Sequence, residues 1–169
     1  MARSTPTPGL RPFLPADAAT LAALFRASVA ALAADDYDEA QRDAWASAAD
    51  DEAAFASRLA DALTIVGLVD GNIAGFASLR DDKMFDMLYV RPDMARQGVG
   101  SALADAIEKI AAGRGTKTLT VDASDAARDF FAARGYVAKT RNTIENAGQW
   151  LGNTTMTLEL AGPAAGRAH

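Results

Sequence analysis

The chain has 169 residues, half of them hydrophobic and 23% charged, which is enough for one packed domain and too little for two independent cores. Its formal net charge of −5 argues against a counterion-displacing face for nucleic acid, although one anionic ligand could still sit in a local pocket. There is no cysteine and a single histidine, the terminal His169. A cysteine nucleophile, a disulfide framework and a thiolate metal site are therefore excluded, and neither a Ser-His-Asp triad nor any other metal site is expected.

No apolar run approaches the roughly 18 residues that a bilayer span needs. Met1–Pro8 lacks the apolar core of a signal peptide. A cytoplasmic protein without membrane contact is expected, with one domain over residues 10–160 and flexible termini at 1–9 and 161–169.

In chain order, Leu10–Leu14 reads as a short strand that Pro12 confines to a sheet edge, because proline cannot donate to a ladder. Pro15 and Asp17 suit a helix start. Leu21, Leu24, Phe25, Ser28 and Leu32 follow at helical spacing. The run Asp35-Asp36-Tyr37-Asp38 breaks that helix. A short helix is expected around Glu39–Ala46 and another from about Asp51 to Ala62, with Phe55, Leu59 and Leu63 on one stripe. Thr64–Val69, Ile73–Leu79 and Met84–Val90 read as an antiparallel meander joined by turns at Asp70-Gly71-Asn72 and Asp81-Asp82-Lys83. A helix opening at Gly98-Val99-Gly100 buries Val99, Leu103, Ile107 and Ile110, and Gly113-Arg114-Gly115 closes it. Thr116–Val121 is the next strand. Ala123–Arg134 is the last helix, with Ala127, Phe130 and Phe131 inward and Gly135 at its end. Tyr136–Ile144 and Thr154–Leu160 are the final strands. The order β-α-α-β-β-β-α-β-α-β-β implies an α+β (or α/β) domain with a mixed sheet and helices on both faces.

The informative stretch is Val90-Arg91-Pro92-Asp93-Met94-Ala95-Arg96-Gln97-Gly98-Val99-Gly100-Ser101. A strand ends, a loop turns, and two glycines lead into a helix. The first N–H groups of a helix lack internal partners, and its dipole adds about half a positive charge there. Such an arrangement cradles phosphate, and Arg96 adds a formal charge. The dinucleotide fingerprint fails because Leu103 stands where its third small residue belongs, and the P-loop tripeptide is absent. Taken alone, the glycines also suit a plain strand-to-helix turn.

This stretch, preceded by Leu88-Tyr89-Val90-Arg91-Pro92, resembles the acetyl-CoA-binding motif of the GNAT superfamily of N-acetyltransferases. The helix-rich prefix, the strand Leu119–Val121 and the spacing Ala127, Phe131, Gly135-Tyr136 resemble the family layout as well. The resemblance covers about Leu10–Leu160. One departure is Ala95, where the family usually has Gln or Arg. The resemblance implies a GNAT-like fold and acetyl-CoA as co-substrate. The backbone of Leu88, Tyr89 and Val90 would pair with the pantetheine arm, and Arg96, Gln97, Gly98, Val99, Gly100 and Ser101 would wrap the pyrophosphate. Ser124 stands where the family often has a pantetheine-binding Asn; it also suits an N-cap of the following helix.

Direct acetyl transfer to an amine, small or peptidic, is the reaction implied. An amine with a pKa near 10 must lose a proton, and the carbonyl oxygen needs a fixed donor. The resemblance implies the backbone N–H near Tyr89 or Val90 as that donor. Asp86, a charge in an otherwise apolar strand, is the first candidate base, with Asp122 as its competitor. Phe131 occupies the position of the family's usual tyrosine acid, so Tyr37 is the substitute candidate, while Tyr89 and Tyr136 read as core. Asp35, Asp36, Asp38 and Glu39 could attract a cationic amine or simply keep a loop solvated. The absent acid motivates an alternative, a non-catalytic acyl-CoA sensor; transfer of a longer acyl chain is a further alternative. A homodimer through Thr143–Thr155 is allowed by the sequence and not required by it.

Overall fold

The computed structural model describes residues 7–160, so of the expected flexible ends at 1–9 and 161–169 only 7–9 are described, Gly9 being already part of the first strand, and the side chain of Leu32 also lies outside the described residues. The strands are β1 (Gly9–Pro12), β2 (Leu63–Val69), β3 (Asn72–Arg80), β4 (Met84–Val90), β5 (Thr118–Ser124), β6 (Val137–Asn146) and β7 (Gln149–Glu159). The α-helices are α1 (Ala18–Leu32), α2 (Glu39–Ala46), α3 (Glu52–Asp61), α4 (Val99–Gly113) and α5 (Arg128–Ala133). Three α-helices thus separate the first two strands, as their individual patterns imply, where the condensed order β-α-α-β counts two. The sheet order is β1-β2-β3-β4-β5-β7-β6. Pro12 lies on the edge strand, as its missing donor requires.

Tight turns set the register. Asp70-Gly71 and Asp81-Asp82 all adopt positive φ, the conformation whose twist matches a hairpin. Ala147-Gly148 does the same at φ 48° and 84° between β6 and β7. An alanine there carries no turn signal, so residues 145–153 are expected outside any strand, whereas β6 runs to Asn146 and β7 starts at Gln149. Thr143–Thr155 is accordingly part of a hairpin within the chain.

Two boundaries move. Thr116 is still tied to the end of α4, its N–H donating to the Ala111 carbonyl at 3.0 Å, so β5 begins later than expected. Ala123 and Ser124 belong to β5, which pairs with β7 as far as Ser124↔Asn153. The following helix therefore starts at Arg128 rather than Ala123.

Each face of the sheet carries its own core. Helix α4 presses Val99, Leu103 and Ile107 onto one face, beside Phe131 of α5. Helices α1 and α3 press Leu21, Phe25, Phe55 and Leu59 onto the other, against Val66, Phe76 and Met87. Full burial of a side chain such as Leu103 or Ile107 contributes about 1.5–3 kcal/mol. The approach of α4 depends on Gly67 and Gly75, which face each other across β2 and β3. A Cβ on Gly75 would lie 2.8 Å from the Tyr89 carbonyl oxygen and 3.1 Å from Val99 Cγ1. Small residues at this pair let the start of α4 settle against the sheet.

Candidate functional site

Strands β4 and β5 run parallel and pair only at Met84↔Thr120 and Phe85↔Val121. Past these residues β4 stays with β3 as far as Val90, while β5 stays with β7. The sheet is therefore split at its centre. A bulge marks where the split begins: Leu79 pairs with Phe85 and Ser78 with Met87, leaving Asp86 unmatched. Such an extra residue bends its strand, increases the local twist and re-aims a side chain.

The hydrogen-bond alternation of an antiparallel pair decides which β4 amides face the split. The Arg91 N–H donates to the Ala74 carbonyl at 2.8 Å. Counting back, Tyr89 opposite Phe76 turns its backbone groups toward β3, while those of Leu88 and Val90 turn toward the gap. This corrects the expectation for Tyr89, whose main chain belongs to the ladder. Leu88 and Val90 keep backbone donors and acceptors for an extended ligand lying in the gap.

The gap leads to the turn that opens α4, where the sequence suggests a phosphate cradle. Arg96 and Gly98 both have positive φ, 65° and 82°. Among the described residues, the backbone N–H groups of Arg96, Gln97, Gly98, Val99, Gly100 and Ser101 have no hydrogen-bond partner. A Cβ on Gly98 would meet nothing within 4 Å, so that side of the turn is open. Six unpaired donors at the start of a 15-residue helix fit an anionic, phosphate-bearing group.

Near the apex of the split lies a cleft of about 390 Å³ lined by Asp86, Asp122, Tyr37, Ser124 and Phe131. The Asp86 side chain is only 8% exposed. It accepts a hydrogen bond from Arg58 Nε at 3.2 Å, and Arg80 Nη1 lies 3.5 Å from its other oxygen. Asp122 is exposed and accepts from the Thr155 hydroxyl at 2.6 Å. Ser124 ends β5, and its hydroxyl accepts from the Ala127 N–H at 3.2 Å. It thus closes the turn before α5 and does not cap the helix, whose N-cap position is Ala127.

Tyr37 is buried, and its hydroxyl is already engaged. It donates to the Gly152 carbonyl at 2.6 Å and accepts from the Asp125 N–H at 2.8 Å. Burial raises its pKa, and the Asp125 amide partly opposes that rise. These contacts make Tyr37 a strap between the loop after α1 and strand β7. Phe131 is buried against Phe85 and Tyr136 and brings no hydroxyl to the cleft. Tyr136 is a core residue whose hydroxyl donates to Glu108 at 2.9 Å. Tyr89 does more than fill core: its side chain lines the cleft and its hydroxyl accepts from Trp45 Nε1 at 3.2 Å. Burial pushes that hydroxyl up to about 12, against the Trp45 hydrogen bond.

The acidic run contributes little to this cleft. Asp35 and Asp36 are exposed, and Asp38 caps α2 by accepting from the Gln41 N–H at 2.8 Å. Sequence reasoning missed Arg58 and Arg80. Arg58 carried no signal, lying on a helix 28 residues from Asp86. Arg80 was within reach, since the turn after it folds Met84 onto it and brings Asp86 alongside.

Comparison with known proteins agrees with this geometry. A family model described as an acetyltransferase (GNAT) domain matches residues 33–160. The uncharacterized N-acetyltransferase YafP of Escherichia coli K12 is 33% identical over 147 residues, covering 87% of this chain and 93% of that protein. A crystal structure described as a GCN5-related N-acetyltransferase (aminotransferase, class-II) from Rhodopseudomonas palustris superposes with a TM-score of 0.91 at 56% identity, covering 95% of this chain and 100% of that one. The PaiA N-acetyltransferase of Thermoplasma acidophilum, in complex with coenzyme A, superposes with a TM-score of 0.75 at 18% identity over 90% of this chain and 99% of that one, a likeness of fold.

Proposed function

Because the chain belongs to the GNAT family of acetyltransferases and is, with that family, an N-acetyltransferase using acetyl-CoA, we propose that it passes the acetyl group directly to the amine of a small acceptor while holding donor and acceptor together. The observation that carries this reading is the split between β4 and β5, which runs from unpaired amides at the start of α4 to a cleft containing a shielded carboxylate. Acetyl-CoA supplies an activated thioester when bound.

The roles follow from what each group has left to offer. The unpaired amides of residues 96–101 hold the pyrophosphate, with Arg96 adding charge. The gap-facing backbone of Leu88 and Val90 pairs with the pantetheine arm, and one of these two N–H groups, of which that of Leu88 is the nearer to Asp86, is the donor for the thioester carbonyl oxygen. Asp86 is the base that takes the proton from the acceptor amine, directly or through one water; Asp122 lies across the cleft as its competitor. Ser124 contributes its hydroxyl proton to the pantetheine while its oxygen keeps the Ala127 amide. Tyr37 is a positioning residue, since releasing its proton would break the Gly152 contact. No side chain is assigned to protonate the departing thiol.

We also place the enzyme in the cytoplasm, on the strength of its dependence on acetyl-CoA. For a homodimer we name the outer edge of β6, which pairs only with β7, and sedimentation at two concentrations decides it.

Asp86→Asn tests the base. General-base catalysis contributes about 10²- to 10⁴-fold, so turnover should fall by that factor while the Kd for CoA stays unchanged. Unchanged turnover across a pH series would pass the role to Asp122. Intersecting initial-velocity lines are expected for direct transfer; parallel lines would indicate a covalent enzyme intermediate and overturn it.

A further inference from the structure

Two guanidiniums in the cleft share one carboxylate. Arg58 and Arg80 both line the cleft, from α3 and from the end of β3, and both converge on Asp86. Their side chains are 46% and 52% exposed, whereas that of Asp86 is 8% exposed, so the positive groups face the opening and the carboxylate lies behind them. Arg58 spends only its Nε–H on Asp86. Among the described residues, its two terminal nitrogens donate to nothing, and the Arg80 guanidinium donates no hydrogen bond, making only the 3.5 Å ion pair. The other charge in the cleft, Asp122, lies across the split on β5 and is held by Thr155. The walls between these charged ends carry the apolar and aromatic side chains of Phe25, Trp45, Tyr89 and Leu151, with Asn146 and Asn153 beside them.

We propose that the acceptor is an amine that also carries a carboxylate, of the kind found in an apolar amino acid, and that Arg58 and Arg80 receive that carboxylate. This rests on the acetyl-transfer reading and names its substrate class. Guanidinium N–H groups fork onto planar carboxylates, so the donors left over by Asp86 suit a second one. The aromatic wall takes the apolar part of the acceptor, and the amine sits between Asp86 and Asp122. A polycation would instead bring positive charge against two arginines that share one carboxylate. The acidic loop, the one feature suited to drawing in such a ligand, points its carboxylates to solvent or caps α2.

The test compares apolar L-amino acids, phenylalanine and leucine, with their carboxamides and with the decarboxylated amines, using acetyl-CoA as donor. Binding of N-acetylphenylalanine and its carboxamide to the CoA-loaded protein is measured in parallel by calorimetry. A charge-assisted hydrogen bond corresponds to a preference for the free carboxylate of about 10- to 100-fold, in kcat/KM and in binding. Arg58→Gln and Arg80→Gln should each shrink that preference toward unity, mainly through KM. Equal or better handling of the amides and amines, or a preference that survives both substitutions, overturns the proposal. If the carboxylate preference appears in binding and is lost in the variants while no amine is acetylated, the carboxylate site stands and the acetyl-transfer reading fails. Should Arg58→Gln not fold, Arg80→Gln carries the same test.

Discussion

Replacing Gly75 by alanine should damage the fold and the cofactor site together. The added methyl would stand 2.8 Å from the Tyr89 carbonyl oxygen, 3.1 Å from Val99 Cγ1 and 3.2 Å from Leu103 Cδ1. The two side-chain contacts can yield by a few tenths of an ångström. The first cannot, because that oxygen is main chain in β4, paired to the same strand that bears Gly75. Overpacking of this kind costs about 1–3 kcal/mol, and a backbone obstacle places it toward the upper end. Alanine offsets about 0.4–1 kcal/mol by restricting the unfolded chain. The net loss is about 1–2 kcal/mol, which lowers Tm by about 2–8 °C for a domain of this size. The displaced groups are Tyr89, next to Val90, and Val99, the first residue of α4, so affinity for CoA should fall as well. Thermal melts with and without CoA measure both effects. Gly100→Ala is the control: its methyl would meet Phe130 at 3.6 Å and Val90 at 3.7 Å, ordinary contacts, so Tm should hold or rise. A Gly75→Ala protein as stable as the parent, with unchanged CoA affinity, would refute the claim that this glycine seats α4.

Tyr37→Phe leaves the Gly152 carbonyl and the Asp125 amide without a partner and should cost about 1–3 kcal/mol of stability. Turnover should fall less than about tenfold, with a raised KM for the acceptor; a loss of about 100-fold or more would restore Tyr37 as a proton donor. At the other end of the chain, Asp17 accepts from Arg11 at 2.7 Å and from the Leu14 amide at 2.8 Å, and the Arg11 hydrogen bond first of all lowers its pKa. A depressed carboxylate adds stability that is fully present above its unfolded pKa and is lost as pH falls through the folded value. Asp17→Asn should therefore lower Tm at neutral pH and narrow the gap to wild type below about pH 3.8, the ordinary value. A gap that is constant from pH 7 to pH 2 would remove that ion pair from the acid sensitivity of the fold.

The elements and the turn that opens α4 were legible in the sequence, because both obey local rules. Proline at an edge, aspartate-glycine turns, the heptad-like stripe of α4 and the glycines at its start act over a few residues, and their outcome does not depend on the rest of the chain. The edge strand, the meander and the glycine turn into α4 therefore stand where they were expected. Where a local signal was missing, as at Ala147-Gly148, the element was misjudged. The cleft was decided by contacts between residues far apart in sequence. The insertion of β7 beside β5 brings the Gly152 carbonyl to the Tyr37 hydroxyl across 115 positions. That contact engages the hydroxyl of a candidate acid. A one-residue bulge sets Asp86 apart from its ladder, and α3 and the end of β3 supply the arginines that surround it. Composition and spacing show that a carboxylate is present; only packing decides which charges share it and which donors remain for a substrate.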